Sequence, residues 1–270
     1  MPWKPLHEAH AIDRVRVLVQ FDAQLSDKAL ARAATPITSI ALDLGFDAVE
    51  RAASSVQQIT IAPHIQASYP EPPRANGWVL KRHDGQRLAE EAGYRDMVFG
   101  YLAGEYSRWE NTRSRFWDLF EKPLDAAMGI VSVGSMRLEY WDQFIFDGEP
   151  SEADASDLFH QFDAALPAYN IRGGASWHSH LGWFESRNDM PLLINRNFDA
   201  VDRPQDDGVV RAMNIYTLVE LRVPAETELG VDAIRTELDF LHDRSVALFG
   251  EALKPDLRDA VGIKIEGSNK

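Results

Sequence analysis

The chain has 270 residues, of which 45% are hydrophobic and 26% charged, and 42 acidic against 28 basic side chains leave a formal net charge of −14. With no cysteine present, disulfides, thiolate metal sites and cysteine nucleophiles are excluded. An acidic surface repels phosphate backbones, so duplex nucleic acid is not an expected partner.

From the start, "MPWKPLHEAH" has no apolar core of a secretory signal. No apolar run approaches the ~20 residues of a membrane helix. The cytoplasm is therefore the expected location, with no membrane association.

"RVRVLVQF" alternates Val15, Val17, Val19 and Phe21 with Arg14, Arg16 and Gln20, the pattern of a half-buried strand. A helix is expected from Ser26 or Asp27, as cap, to Leu44, with Pro36 breaking or kinking it. "VQQITIAPHI" reads as a strand and "YPEPP" as an extended loop. "GWVLKRHDG" and "DMVFGYL" read as neighbouring strands joined by a polar connection. From Glu105 to Met128, Tyr106, Trp109, Phe116, Trp117, Phe120 and Leu124 recur at three- and four-residue steps. That stripe predicts a helix with an aromatic core face, kinked or restarted at Pro123. "SMRLEYWDQFIF" is a long strand.

Seven carboxylates and no Lys or Arg lie between Asp142 and Asp163. This acidic stretch, with a short helix capped by Ser151, is taken as the boundary between residues 1–148 and 149–270, two α+β halves that can form one domain. Three strands follow, Ala175 to Glu185, Leu192 to Asp199 and Val209 to Val223, the last long enough to need a bend or bulge. "FDAVDRPQDDG" reads as a turn-rich loop. The final helix carries Val231, Ile234, Leu238, Leu241, Leu248 and Ala252 at helical spacing, with Ser245 as its polar exception. The fold class read from these elements is α+β: antiparallel sheet or sheets, long helices packed on one face, and two similar halves.

The stretch closest to a chemical motif is "ASWHSHLGWFES". In a strand, His178 and His180 share a face, and imidazoles two residues apart can converge on one metal. A third ligand is needed, and Glu185, Asp199, Asp202, His64 and His160 are the candidates, none at a diagnostic spacing. The plainer expectation is a solvent-facing pair. "RGGAS", "VGSMR" and the aspartates of "FDAVDRPQDDG" lack the spacings of a phosphate loop, a nucleophile elbow and an EF-hand. Arg137, Glu139 and Asp142 read equally as a buried polar cluster or a surface ladder of paired charges. His242 reads as a helix-flank histidine bonded to a loop carbonyl.

Three segments together resemble a sporadically distributed bacterial family of uncharacterised proteins of about this length. They are "GWVLKRHDG", the Tyr-x-x-Trp helix "YSRWENTRSRFWDLF" (Tyr106 and Trp109) with the following "RLEYWDQF", and "LHDRSVALFGEAL", with its Leu-His and Phe249. The chain departs from that pattern where a strand ending Arg-Tyr-Ile-Asn is expected and "RLEYWDQF" stands instead. The resemblance implies no activity, cofactor or catalytic residue, and it implies a setting on mobile or defence gene islands.

The functional expectation is a non-enzymatic binding or interaction protein without a cofactor, taking a protein partner or a second copy of itself. The alternative is a metal-assisted hydrolase holding a divalent ion such as zinc through His178 and His180.

Overall fold

The computed structural model describes residues 2–54, 74–160, 166, 175–205 and 208–263. Its frame is one antiparallel sheet of ten strands in the order β3-β4-β5-β6-β2-β7-β10-β9-β8, with β1 set beside β7. In chain order these are β1 (Trp3–Pro5), β2 (Ile12–Phe21), β3 (Ala48–Ser54), β4 (Arg74–Asp84), β5 (Arg87–Arg95), β6 (Val98–Ala103), β7 (Val133–Phe146), β8 (Trp177–Arg187), β9 (Met190–Gln205) and β10 (Gly208–Arg222). Helices α1 (Asp27–Thr38), α2 (Trp109–Met128), α3 (Val231–Ala252) and α4 (Pro255–Ala260) complete it.

Strand periodicity sorts each strand into two rows. Val15, Val17 and Val19 of β2 lie opposite Tyr140, Leu138 and Met136 of β7, and Leu138 in turn lies opposite Val219 of β10. This row is buried beneath the helices, where α3 contributes Ile234, Leu238, Leu241 and Leu248, and α2 contributes Phe116, Phe120 and Leu124. A second apolar cluster gathers Trp3, Phe144, Phe146, Phe159, Phe198, Met213, Ile215 and Phe249. The opposite face carries a ladder of paired charges. Glu139 bridges Arg16 at 3.7 Å and Arg137 at 3.2 Å, and Arg137 reaches Glu220 at 3.5 Å. Arg14 sits 4.7 Å over the ring of Trp141.

The α+β reading with long helices and two similar halves is corrected here. The molecule is mostly sheet, 44% strand against 30% helix, and its helices are four separate segments of 6 to 22 residues. Among the described residues, the stretch before residue 149 supplies seven strands and the stretch after it three, all in one sheet. The sheet is larger than its pattern announced because two expected connections are themselves strands. One is β5, which lies between β4 and β6 and separates them. The other is the end of β9, which carries "FDAVDRP" into a hairpin with β10. The register of β10 runs unbroken against both neighbours, without the expected bulge. Ser26 caps α1 through the amide of Ala29, and the helix ends at Thr38, two residues past Pro36. α2 continues through Pro123 to Met128. The acidic stretch forms two 3-10 turns, Pro150–Glu152 and Ala155–Asp157, in place of one helix. "VQQITIAPHI" and "YPEPP" lie outside the described residues.

Two glycines let β4 and β5 approach closely. A Cβ on Gly93 would collide with the carbonyl oxygen of Trp78, and one on Gly77 with that of Tyr94. Both obstacles are backbone and cannot swing away. Gly93→Ala is therefore expected to cost ~1–3 kcal/mol by overpacking. A urea midpoint equal to that of the parent would contradict this close approach.

Candidate functional site

The seam between the two apolar clusters is polar. Leu138, Tyr140, Asp142 and Phe144 alternate onto the helix-facing side of β7, so an aspartate stands in an apolar register. On β10, Thr217 faces Tyr140 and Ile215 faces Asp142. Above them runs α3, whose His242, Ser245, Val246 and Phe249 fall on one stripe at helical spacing. The segment leading into α2 brings Tyr106 and Trp109. β1 and β2 share one edge of β7 end to end, and the loop between them carries His10 to the same place. Val261 and Ile263, after α4, close the far side.

These elements enclose a cavity of about 510 Å³, with Ala9, Arg108, Glu110 and Gly262 exposed at its mouth. This lies within the usual size range of small-molecule sites. Its aromatic wall is ordered by specific contacts. The Trp109 ring stacks on His242, with centroids 4.6 Å apart and planes 8° from parallel. Trp109 Nε1 donates to Asp239 Oδ1 at 3.0 Å, which fixes the indole to α3. The Tyr140 hydroxyl lies 2.9 Å from His242 Nδ1 and also bonds the Tyr106 hydroxyl. The His10 ring meets Tyr106 edge-on, 5.5 Å between centroids. A hydrogen-bonded row of Tyr106, Tyr140 and His242 therefore lines one wall. His242 is bonded to a strand hydroxyl and not, as its sequence position had indicated, to a loop carbonyl.

Electrostatics set the protonation states. Burial raises the hydroxyls of Tyr106 and Tyr140 above the ordinary tyrosine range, so both remain protonated. Burial also lowers His242, against the pull of Asp243, Asp239 and Glu110, and holds it neutral at neutral pH. Asp142 is only 3% exposed, and burial alone pushes its carboxyl up to about 8. Among the described residues its Oδ1 makes no hydrogen bond, and neither does the buried Oγ1 of Thr217 beside it. Most buried polar atoms in folded proteins are satisfied, so two orphans on one cavity wall call for an explanation. Pockets with a few convergent polar groups and a carboxyl shifted this far are where ligands bind.

The predicted histidine pair lies elsewhere. His178 and His180 are exposed on the edge strand β8, on the face away from the helices, opposite Asp199 and Asn197 of β9. Of the proposed third ligands, Glu185 points to the helix side and pairs with Arg244 at 2.6 Å. Asp202 pairs with Arg211 at 2.5 Å, and His64 lies outside the described residues. Among the described residues, no three His, Cys, Asp or Glu side chains are grouped to hold a metal. The double variant His178→Ala/His180→Ala is expected to unfold within about 0.5 kcal/mol of the parent, with or without chelator. A loss of stability on chelation seen only in the parent would make the pair a metal site.

Arg137 and the buried Glu139 belong to the charge ladder on the opposite face of the sheet, while Asp142 faces the helices, so the three do not form one cluster. The sequence reading missed the cavity, although three signals pointed to it. Asp142 and Ser245 each break an otherwise apolar row, and Thr217 breaks the apolar run of Met213, Ile215, Val219 and Leu221. No protein-family model, no curated protein and no solved structure matches the chain.

Proposed function

We propose that this chain is a cytoplasmic, non-enzymatic binding protein whose ligand occupies the cavity between β7, β10 and α3. The observation that carries the reading is the buried carboxyl of Asp142, which faces a ring-walled cavity without a partner of its own. Leaving such a group unpaired costs stability, and a bound ligand supplies the missing interaction. A binding role also accords with the groups present: neutral His242 and two protonated tyrosines can hold and orient a ligand. The resemblance noted in the sequence adds mobile or defence gene islands as the setting. Metal-assisted hydrolysis at His178 and His180 gains no support from their exposed positions on β8. Among the described residues, no helix is long and apolar enough to cross a membrane.

A thermal-shift screen of small organic molecules tests this, run in parallel on the parent and on Val246→Trp, which fills the cavity from α3. Ligands that raise the melting temperature of the parent and not of Val246→Trp support the reading. Hits that stabilise both equally, or a parent that no molecule stabilises, would overturn it.

A further inference from the structure

We infer that the cavity recognises a protonated amine, an ammonium head carried on an apolar stem. This rests on the cavity being the ligand site and names the chemistry it selects. Among the described residues Asp142 is the only carboxyl buried in the wall, and the second carboxyl on the cavity, Glu110, stands exposed at the mouth. The single guanidinium on the described lining, Arg108, is also exposed at the mouth, so among the described residues no cation neutralises Asp142 at depth. Tyr106, Trp109 and Tyr140 line the same cavity, and aromatic rings attract a cation brought within about 6 Å of their faces. Apolar wall from Ile12, Val246 and Phe249 accommodates a stem. An anionic ligand would find no cation at depth among the described residues, only an uncharged carboxyl and a neutral imidazole. A neutral ligand would meet Asp142 only as a hydrogen-bonding group and would form no ion pair with it.

The groups facing Asp142 set how it responds. His10 comes from the β1–β2 loop with His7 beside it, and Tyr106, Arg108 and Glu110 come from the start of α2. Tyr140 lies on β7, and His242, flanked by Asp239 and Asp243, lies on α3. Among them the two tyrosines stay protonated, and burial lowers both His10 and His242. An ammonium entering at neutral pH therefore meets a protonated Asp142, which must release its proton to form the ion pair. The same head group arises on a free amine or on a lysine side chain presented by a basic partner. The net charge of −14 favours approach of either.

Titration calorimetry with benzylammonium, its neutral isostere benzyl alcohol, and N-acetyl-lysine amide tests the inference. Measuring in buffers of different ionisation enthalpy counts the protons exchanged. Benzylammonium or the lysine amide is expected to bind about ten-fold more tightly than benzyl alcohol, with release of close to one proton near pH 7. Asp142→Asn is expected to abolish the preference and the proton release while retaining the affinity for benzyl alcohol. Preference for the lysine amide points to a protein side chain, and preference for benzylammonium to a free amine. Benzyl alcohol binding as tightly as the cations would overturn the ammonium inference and leave the cavity as the ligand site. Binding of none of the three would overturn the inference, while the parallel screen with Val246→Trp would still decide the fate of the cavity reading.

Discussion

Phe120→Ala is expected to destabilise the fold by ~3–5 kcal/mol, the range for emptying a well-packed aromatic site. Phe120 is fully buried on α2. Its ring lies 5.1 Å from Phe116, 5.4 Å from Phe99 on β6 and 6.2 Å from Trp78 on β4. It therefore joins the helix to two strands, and its loss leaves a hole that rigid β-strands collapse into poorly. Asp118, two residues away on the exposed side of α2, provides the control, since Asp118→Ala should stay within about 0.5 kcal/mol. Urea unfolding monitored by fluorescence and circular dichroism measures both. Equal midpoints for Phe120→Ala and Asp118→Ala would remove the aromatic stripe from the core.

That stripe was legible in the sequence because helical periodicity repeats a local pattern over five turns. The same holds for the apolar row of α3 and for the alternation in β2 and β7. Where the fold escaped the reading, the deciding partner lay far away in the chain. β5 is the clearest example. Its sequence "RLAEEAGYR" places Glu90 in the buried register, which reads as a polar connection. In the structure Glu90 is 3% exposed, held by Arg115 at 2.5 Å and Arg82 at 3.1 Å. The two guanidiniums offset the burial and keep its carboxyl below the usual range. No local window contains both the glutamate and the arginine on α2 that makes its burial tolerable. The cavity is distributed in the same way. A loop, two strands and two helices each contribute a few residues, and only the sheet order, which sets β10 beside β7, brings Thr217 and Asp142 together. The polar exceptions were visible as exceptions, but their convergence depended on topology. The histidine pair, by contrast, stood out because it is adjacent in sequence, and adjacency on an edge strand placed it in solvent.

The carboxyl of Asp142 gives the second large effect, and its sign follows from linkage. Its folded value of about 8 lies above the ordinary 3.8, so between these values the folded state holds a proton that the unfolded state has lost. Below about pH 4 both states are protonated and the group contributes nothing. As pH rises through the window, stability falls by about 1.4 kcal/mol per pH unit, on the order of 5 kcal/mol in all, and the loss levels off above about pH 8. Asp142→Asn removes the titration while nearly preserving shape. The variant should therefore match the parent near pH 4 and exceed it in stability by several kcal/mol near pH 8, without ligand. The histidines and the remaining carboxylates titrate in both proteins, so the difference between the two stability curves isolates Asp142. A saturating amine should stabilise the parent near pH 8 more than the variant, because only the parent then gains an ion pair. Urea unfolding of both proteins from pH 4 to 9 measures the difference. Parallel curves would mean that water or a chain partner already satisfies the carboxyl, and the cavity would then lose the group that selects its ligand.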